Sequence, residues 1–174
     1  ANTNKVPEIK KSFLYKKYES FHNIYFNNLI ACAGVQTCSF GVIQNKSDAI
    51  KMATFLHKEV PMSDGKIRLY WSACPKGCGL HSIADIGFEG CIAKDEKGNR
   101  CEGVRIYLGG KASRKAQEAR LLVKSIPLEN AKLIVKNLVL LYKNEKVKNE
   151  SFESFDDRVL STFSIEEIQI KLGI

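Results

Sequence analysis

The stretch WSACPKGCGLHSIADIGFEGC, residues 71–91, carries three of the six cysteines of this 174-residue chain, together with several glycines and a proline. It begins within the run KIRLYWSA (residues 66–73), whose alternation predicts a strand, and it leads into ADIGFEGCIA (84–93), a second strand-like run. A loop of this composition between two strands is compatible with a disulfide, a metal site or a set of tight turns. The other cysteines are needed to choose among these.

The beginning of the chain bears on whether the cysteines are oxidised. ANTNKVPEIKK (residues 1–11) lacks the apolar core of a signal peptide, and no apolar run approaches the roughly 18–20 residues of a membrane helix. These observations predict a cytoplasmic protein without a membrane segment. Because the cytosol keeps thiols reduced, metal or redox chemistry is favoured over a disulfide framework.

Four of the cysteines form two pairs. Five residues separate Cys32 from Cys38, three separate Cys74 from Cys78, and thirty-five lie between the pairs. Zinc is commonly held by pairs with about two to four intervening residues, so the first pair counts against it. An iron-sulfur cubane holds its thiolates at the corners of a wider tetrahedron, which tolerates unequal spacing. The spacing favours a cluster, while a zinc site and inert buried thiols remain open.

The other two cysteines, Cys91 and Cys101, fall in a predicted hairpin. Its strands are ADIGFEGCIA and CEGVRIYLGG (101–110), and Gly98 and Asn99 in KDEKGNR (94–100) suit the turn between them. A cysteine within a strand is usually a small core residue. We therefore expect Cys91 and Cys101 to be structural.

Three helices are predicted from apolar spacing and end signals. The first has Ser47 as its N-cap and stops at Pro61, and the last starts at Ser164, where Glu167 completes a capping box. Between them a long amphipathic helix begins at Pro127. The run NIYFNNLIACA (23–33) is predicted to be a strand or buried segment that leads into the first cysteine pair.

The order of these elements is mixed. It predicts an α+β fold, a mixed β-sheet with flanking helices, in one domain over residues 1–174.

Most of the excess positive charge behind the formal net charge of +8 lies between residues 111 and 148, which contain ten Lys and Arg but only three Glu. In the helical part of this segment the lysines lie opposite the apolar positions, as on a solvated helix face. Aromatic residues do not alternate with them as a base-stacking surface requires. We expect a solvated face or a surface for an acidic partner, and no nucleic-acid binding.

Taken together, the motifs resemble one known family. Cys32 and Cys38 followed by a helix, then ACPKGCGLHSIADIGFEG (73–90) and EGVRIYLGG (102–110), are similar to the siroheme and 4Fe-4S module of nitrite and sulfite reductases. The segment ESFESFDDRV (150–159) resembles the family's closing segment more weakly. The resemblance implies that fold and two cofactors, a 4Fe-4S cluster and siroheme.

The resemblance also implies roles for particular residues. Cys78 would serve both as a cluster ligand and as the axial ligand of the siroheme iron, which gives a short path for single electrons. Gln36 and Lys46 match positions common in the family and would contact the cluster loop or siroheme carboxylates, although a lysine before a helix is about as often just solvated. His81 is expected to be a hydrogen-bonded structural residue. The implied cluster ligands are Cys32, Cys38, Cys74 and Cys78.

A reductase function follows from the resemblance. Electrons from a ferredoxin-like acidic donor would pass through the cluster to siroheme, where nitrite is reduced to ammonia or sulfite to sulfide. Family members are longer, and their anion-binding Arg and Lys come from an N-terminal half that is absent here, so we expect no catalytic residue in this chain and no activity in isolation. Ala73, Lys76 and Thr37 depart from the family's usual residues and leave the choice of anion open. The alternatives are a non-catalytic zinc-binding interaction module and a simple iron-sulfur electron carrier.

Overall fold

The computed structural model describes residues 3–18, 23–112 and 116–174. Its centre is a five-stranded sheet in the order β1-β2-β3-β4-β5. The strands are β1 Leu29–Ala31, β2 Leu69–Ser72, β3 Ile86–Lys94, β4 Arg100–Leu108 and β5 Arg120–Pro127. The helices are α1 Val6–Lys11, α2 Phe13–Tyr18, α3 Lys46–Glu59, α4 Leu128–Glu145, α5 Phe152–Arg158 and α6 Ile165–Leu172, with short 3₁₀ turns at Thr3–Lys5, His81–Ile83 and Leu160–Thr162. The predicted α+β fold with a mixed sheet is confirmed.

Strands β1, β2 and β3 run parallel, and this places the first two cysteine-bearing loops together. Ile30 pairs with Tyr70, and Trp71 pairs with Phe88. Parallel neighbours have their carboxyl ends at the same edge of the sheet. Because Cys32 directly follows β1 and Cys74 lies two residues after β2, the two cysteine pairs start side by side.

The predicted hairpin is confirmed as antiparallel strands β3 and β4. Gly98 in its turn has a φ of +82°, a left-handed conformation that favours glycine. Cys91 lies opposite Gly103, and Cys101 lies opposite Ala93, so both cysteines are within strands, as expected.

One face of the sheet forms the core. Side chains of Leu69, Trp71, Ile86 and Phe88 are fully buried there, together with apolar residues of α3, α4 and α6. The Trp71 and Phe88 rings stack with centroids 3.8 Å apart. The opposite face carries polar side chains, and the short turn at His81–Ile83 packs on it. Only the first face is a hydrophobic core.

Helices α4 and α6 occur as predicted, and Ser164 and Glu167 form the expected capping box. The N-cap predicted for α3 at Ser47 is wrong, because the helix begins at Lys46 with Asn45 as its cap. The Asp48 carboxylate accepts a hydrogen bond from the Asn45 backbone N–H at 2.9 Å. This contact places the N-cap of α3 at Asn45, two residues before Ser47.

The basic segment at residues 111–148 is partly paired with carboxylates in the fold, and part of it forms strand β5, which the charge pattern did not predict. Arg114 and Lys115 lie outside the described residues. Among the described ones, five cations pair with carboxylates: Lys111 with Asp157, Arg120 with Asp156, Lys132 with Glu129, Lys136 with Glu59 and Lys146 with Asp64. These pairs involve five of the eight cations of the segment that the structure describes. No described helix is long and apolar enough to cross a membrane.

Candidate metal centre

Backbone hydrogen bonds hold the two cysteine loops against each other. The Cys32 N–H donates to the Trp71 carbonyl at 3.1 Å, which extends the pairing of β1 and β2 by one residue. Further along, the Val42 N–H donates to the Ala73 carbonyl at 2.9 Å. These two bonds join the first loop to the backbone next to Cys74, so the two loops are held together.

Glycine is required at the places where the loops approach most closely. A Cβ on Gly79 would lie 1.8 Å from the Trp71 carbonyl oxygen, and one on Gly34 would lie 2.3 Å from the Gln44 carbonyl oxygen. Gly34 also has a φ of +83°. Because backbone atoms cannot yield as a flexible side chain can, these contacts explain the glycines that follow Cys78 and Cys32.

The four paired cysteines line a single cavity of about 160 Å³. Cys74 is buried, Cys32 and Cys38 are partly buried, and Cys78 is exposed. All four are free thiols. The rest of the lining comes from the same two loops: Ala33, Phe40, Ala73 and Lys76.

Two N–H groups are directed at the Cys32 sulfur. The Asn45 side-chain amide donates to Cys32 Sγ at 3.1 Å, and the Ala73 backbone N–H donates to it at 3.2 Å. The same amide donates to the carbonyls of Cys32 and Trp71, at 2.9 and 3.1 Å. Such donors stabilise the thiolate form that metals bind and set the reduction potential of a cluster. Sequence reasoning missed Asn45, although an Asn three residues before an Asp at a helix start is a capping signal.

The grouping of the cysteines bears on whether the site holds one ion or a cluster. Tetrahedral zinc with Zn–S bonds of about 2.3 Å brings its sulfurs close together. Among the residues that the structure describes, no three His, Cys, Asp or Glu side chains are grouped closely enough to hold a single metal ion. Four thiols that line one cavity and are supplied with N–H donors fit an iron-sulfur cluster.

Comparison with known proteins identifies the family. Residues 26–159 match the model of the nitrite and sulphite reductase 4Fe-4S domain. The chain belongs to this family. It is 34% identical over 117 residues to the chloroplastic ferredoxin–nitrite reductase of Betula pendula, a match that covers 67% of this chain and 20% of that protein. It is 31% identical over 135 residues to the ferredoxin–nitrite reductase of Leptolyngbya laminosa, covering 78% of this chain and 26% of that protein.

Solved structures of reductases share the fold. The NirA protein of Mycobacterium tuberculosis superposes with a TM-score of 0.69 at 21% identity, covering 84% of this chain and 27% of that one. Dissimilatory sulfite reductase I superposes with a TM-score of 0.56 at 15% identity, covering 84% of this chain and 52% of that one. The chain thus spans about a fifth to a quarter of the curated nitrite reductases described above.

Gln36 and Lys46, which match family positions, are placed outside the cavity. Gln36 is exposed in the loop between Cys32 and Cys38, and Lys46 is the exposed first residue of α3. Neither belongs to the cavity lining. Their contacts with a cofactor stay predictions, and those contacts would have to be made at the surface of this chain.

Lys76 is the charged residue of the cavity lining. Its ammonium group lies 4.5 Å from the centroid of the Phe40 ring, so the second cysteine loop reaches over the first by a cation–π contact. Phe40 is 61% exposed. A cation beside the thiols offsets part of the negative charge that four thiolates bring.

A buried polar row lies next to the second cysteine loop, on the sheet face opposite the core. Ser72 pairs with Glu89, and Glu89 pairs with Arg105, across β2, β3 and β4. His81 lies over the row, with Nδ1 2.9 Å from Ser72 Oγ and Nε2 3.2 Å from Glu89 Oε2. Tyr107 Oη donates to Glu89 Oε2 at 2.8 Å. His81 is hydrogen-bonded through both ring nitrogens, as the sequence led us to expect.

Burial sets the titration of this row. Desolvation lowers the pKa of His81, and the charge of Glu89 opposes that effect without cancelling it. Burial, helped by the hydrogen bond to Glu89, raises the pKa of Tyr107 to about 12. At neutral pH His81 is therefore an uncharged ring beside a carboxylate that is paired with Arg105.

Proposed function

We propose that this chain is the cluster-binding part of a siroheme-dependent nitrite or sulfite reductase. The observation that carries the proposal is the meeting of four thiols, from two loops at the carboxyl ends of parallel strands, around one cavity. Cys32, Cys38, Cys74 and Cys78 would hold a 4Fe-4S cluster as thiolates. Membership of the 4Fe-4S domain family supports this assignment.

Cys78 is proposed to serve a second metal centre as well. Its thiol is exposed while that of Cys74 is buried, so the sulfur of Cys78 is the more accessible of the two from outside this chain. When bound, siroheme would supply the iron at which an anion is reduced, with the cluster as its source of electrons. The chain's own contribution is to fix that sulfur, through the glycine contact at Gly79, and to exclude water around Cys74.

The electron donor is proposed to be a ferredoxin-like acidic protein, because the similar nitrite reductases are named as ferredoxin-dependent. The partner that supplies the anion-binding cations is proposed to be the remainder of a longer reductase, since about three-quarters to four-fifths of the length of the matched relatives lies outside the match. Five cations of residues 111–148 already pair with carboxylates of this chain, which reduces the positive charge that the segment offers to the donor.

The test uses the longer protein that contains this chain, purified without oxygen. We expect it to oxidise dithionite-reduced ferredoxin when nitrite or sulfite is added, with ammonia or sulfide as product, and to lose that activity when Cys78→Ser is introduced. The isolated chain, loaded with its cluster, should not turn over nitrite or sulfite with the reduced donor. A siroheme-free, cluster-loaded protein that turns over neither anion would instead indicate a simple electron carrier and would contradict the proposal.

A further inference from the structure

The buried row of Ser72, His81 and Glu89 is joined to the second cysteine loop by a hydrogen bond. The Gly79 N–H, directly after Cys78, donates to Ser72 Oγ at 3.0 Å, and the same oxygen contacts His81 Nδ1. The ring also packs on the loop itself, because a Cβ on Gly77 would lie 3.8 Å from His81 Cε1. A titratable ring is thus in contact with the loop that carries Cys74 and Cys78.

From this arrangement, and resting on the proposed cluster, we propose that His81 accepts a proton when the cluster is reduced, so that electron arrival and proton uptake are coupled. The electron comes from a one-electron donor such as a reduced iron-sulfur protein, and the proton comes from water. One negative and one positive charge are added together, so the charge of the buried region is unchanged.

The hydrogen bonds around His81 suit both states of the ring. In the neutral ring Nε2–H donates to Glu89 Oε2, and Nδ1 accepts from the Ser72 hydroxyl. On protonation Nδ1–H donates to Ser72 Oγ, and only the hydroxyl hydrogen has to rotate. Ser72 Oγ continues to accept from the Gly79 N–H in either state. Because no heavy atom has to move, proton uptake requires no rearrangement of the loop.

The charged groups around the ring favour uptake on reduction. Glu89 from β3 faces Nε2, and Arg105 from β4 neutralises the other carboxylate oxygen. Tyr107 from β4 stays protonated and Ser72 from β2 is neutral, while Cys91 is the next residue along this face. The region around the neutral ring therefore has no net charge before reduction. An added negative charge nearby makes the imidazolium more favourable than it was.

A path to solvent exists along the same row. The Arg105 side chain is 36% exposed, and Tyr107 is partly exposed, with its hydroxyl bonded to Glu89. A proton can therefore reach Glu89 from the side of the sheet that lacks the helical layer, and it passes on to Nε2 when the neutral ring is in the tautomer whose Nδ1–H donates to Ser72 Oγ. The Ser72 side of the ring leads to the cysteine loop.

The test is the midpoint potential of the reconstituted chain as a function of pH, followed by the EPR signal of the reduced cluster. We expect the potential to fall as pH rises, by up to about 59 mV for each tenfold drop in proton concentration. The slope begins at the lowered pKa of His81 in the oxidised state and ends at its higher pKa in the reduced state. His81→Gln should abolish the slope, and His57→Gln, the same change on the exposed His57 of α3, should leave it intact.

Glu89→Gln provides a second variant that keeps a hydrogen-bond acceptor for Tyr107. Loss of the carboxylate charge lowers the pKa of His81 in both states, so the sloping region should move to lower pH. A loaded wild-type chain with a pH-independent potential, or an unchanged slope in His81→Gln, would overturn this inference alone. A chain that takes up no iron would overturn the proposed function and this inference together.

Discussion

The chain uses cysteine in two regions, and the comparison shows what makes a cysteine a ligand. In the cysteine end, residues 32–45 and 72–79, four thiols follow the carboxyl ends of parallel strands and line one cavity. In the hairpin, residues 86–108, Cys91 and Cys101 lie within antiparallel strands, where Cys91 pairs with Gly103 and Cys101 pairs with Ala93. The chemistry of the side chain is the same in both regions.

The difference lies in the backbone around the thiol. A strand already uses its N–H and C=O groups in the ladder, and alternate side chains point to opposite faces, so thiols of one strand cannot surround a cofactor. A glycine-rich loop can curve around one and direct spare N–H groups to sulfur, as Ala73 does toward Cys32. Position in the topology therefore decides the role.

The largest expected effect is loss of the cluster. Cys32→Ser should reduce iron and acid-labile sulfide after anaerobic reconstitution to near zero, because the proposed site loses a thiolate and the sulfur that Asn45 and Ala73 bind. Cys101→Ser in the hairpin is the matched control and should retain full loading. Equal iron loss in both variants would contradict the claim that only the cysteines of the cysteine end are ligands.

A second contrast uses glycine. Gly79→Ala should lower the free energy of unfolding by about 2–3 kcal/mol, because the new Cβ would meet the Trp71 carbonyl and push the second cysteine loop away from β2. Gly98→Ala in the hairpin turn meets no atom within 4 Å and strains only its φ of +82°, so we expect a loss of about 1 kcal/mol. Urea unfolding of both variants measures this order, and a more costly Gly98→Ala would contradict it.

A third contrast removes a donor to sulfur. Asn45→Gly tolerates the φ of +61° and deletes the amide that donates to Cys32 Sγ, so it should cost about 1–3 kcal/mol of stability. It should also lower the midpoint potential of the cluster, since N–H donors favour the more negative reduced state. Ser125→Ala, beside Cys91 Sγ at 3.6 Å, is its counterpart in the hairpin and should leave the potential unchanged. Redox titration of both variants decides the point.

The smallest effect concerns pH and the hairpin turn. Asp95 accepts hydrogen bonds from the backbone N–H groups of Asn99 and Lys97, which lower the pKa of its carboxyl from 3.8. The resulting stability is present above that ordinary pKa and is lost as pH falls through the lowered one. Asp95→Asn should therefore unfold with a shallower dependence on pH between about pH 5 and about pH 2. Thermal unfolding as a function of pH checks this prediction. If Asp95→Asn showed the same pH dependence of stability as the unmodified chain, the acid sensitivity would come from other groups.

The sequence was most informative where one local signal was strong. The hairpin, with Gly98 in its turn, and helices α4 and α6 were predicted because alternation, helical spacing and the Ser164 capping box act locally. Strand β5 was missed because its register with β4 is broken near Ile106, so its residues do not alternate cleanly, and its charges suggested a surface.

The sequence predicted which cysteines form the candidate site, but it did not predict the residues that surround them. The spacing of the four cysteines pointed to a cluster, but nothing local shows that Asn45 reaches Cys32 across thirteen residues, or that α3 begins before Ser47. The sequence also did not show that His81 and Glu89 form a pair. Their contact depends on the turn at His81–Ile83 packing over β3.

The most direct test of the account is the metal content of the chain after anaerobic reconstitution with iron, sulfide and zinc together, measured by elemental analysis with EPR of the dithionite-reduced sample. We predict a complete 4Fe-4S cluster, four irons with equal acid-labile sulfide per chain, and the EPR signal of one reduced cluster. One zinc per chain without labile sulfide would contradict the central claim and would support the zinc-binding alternative.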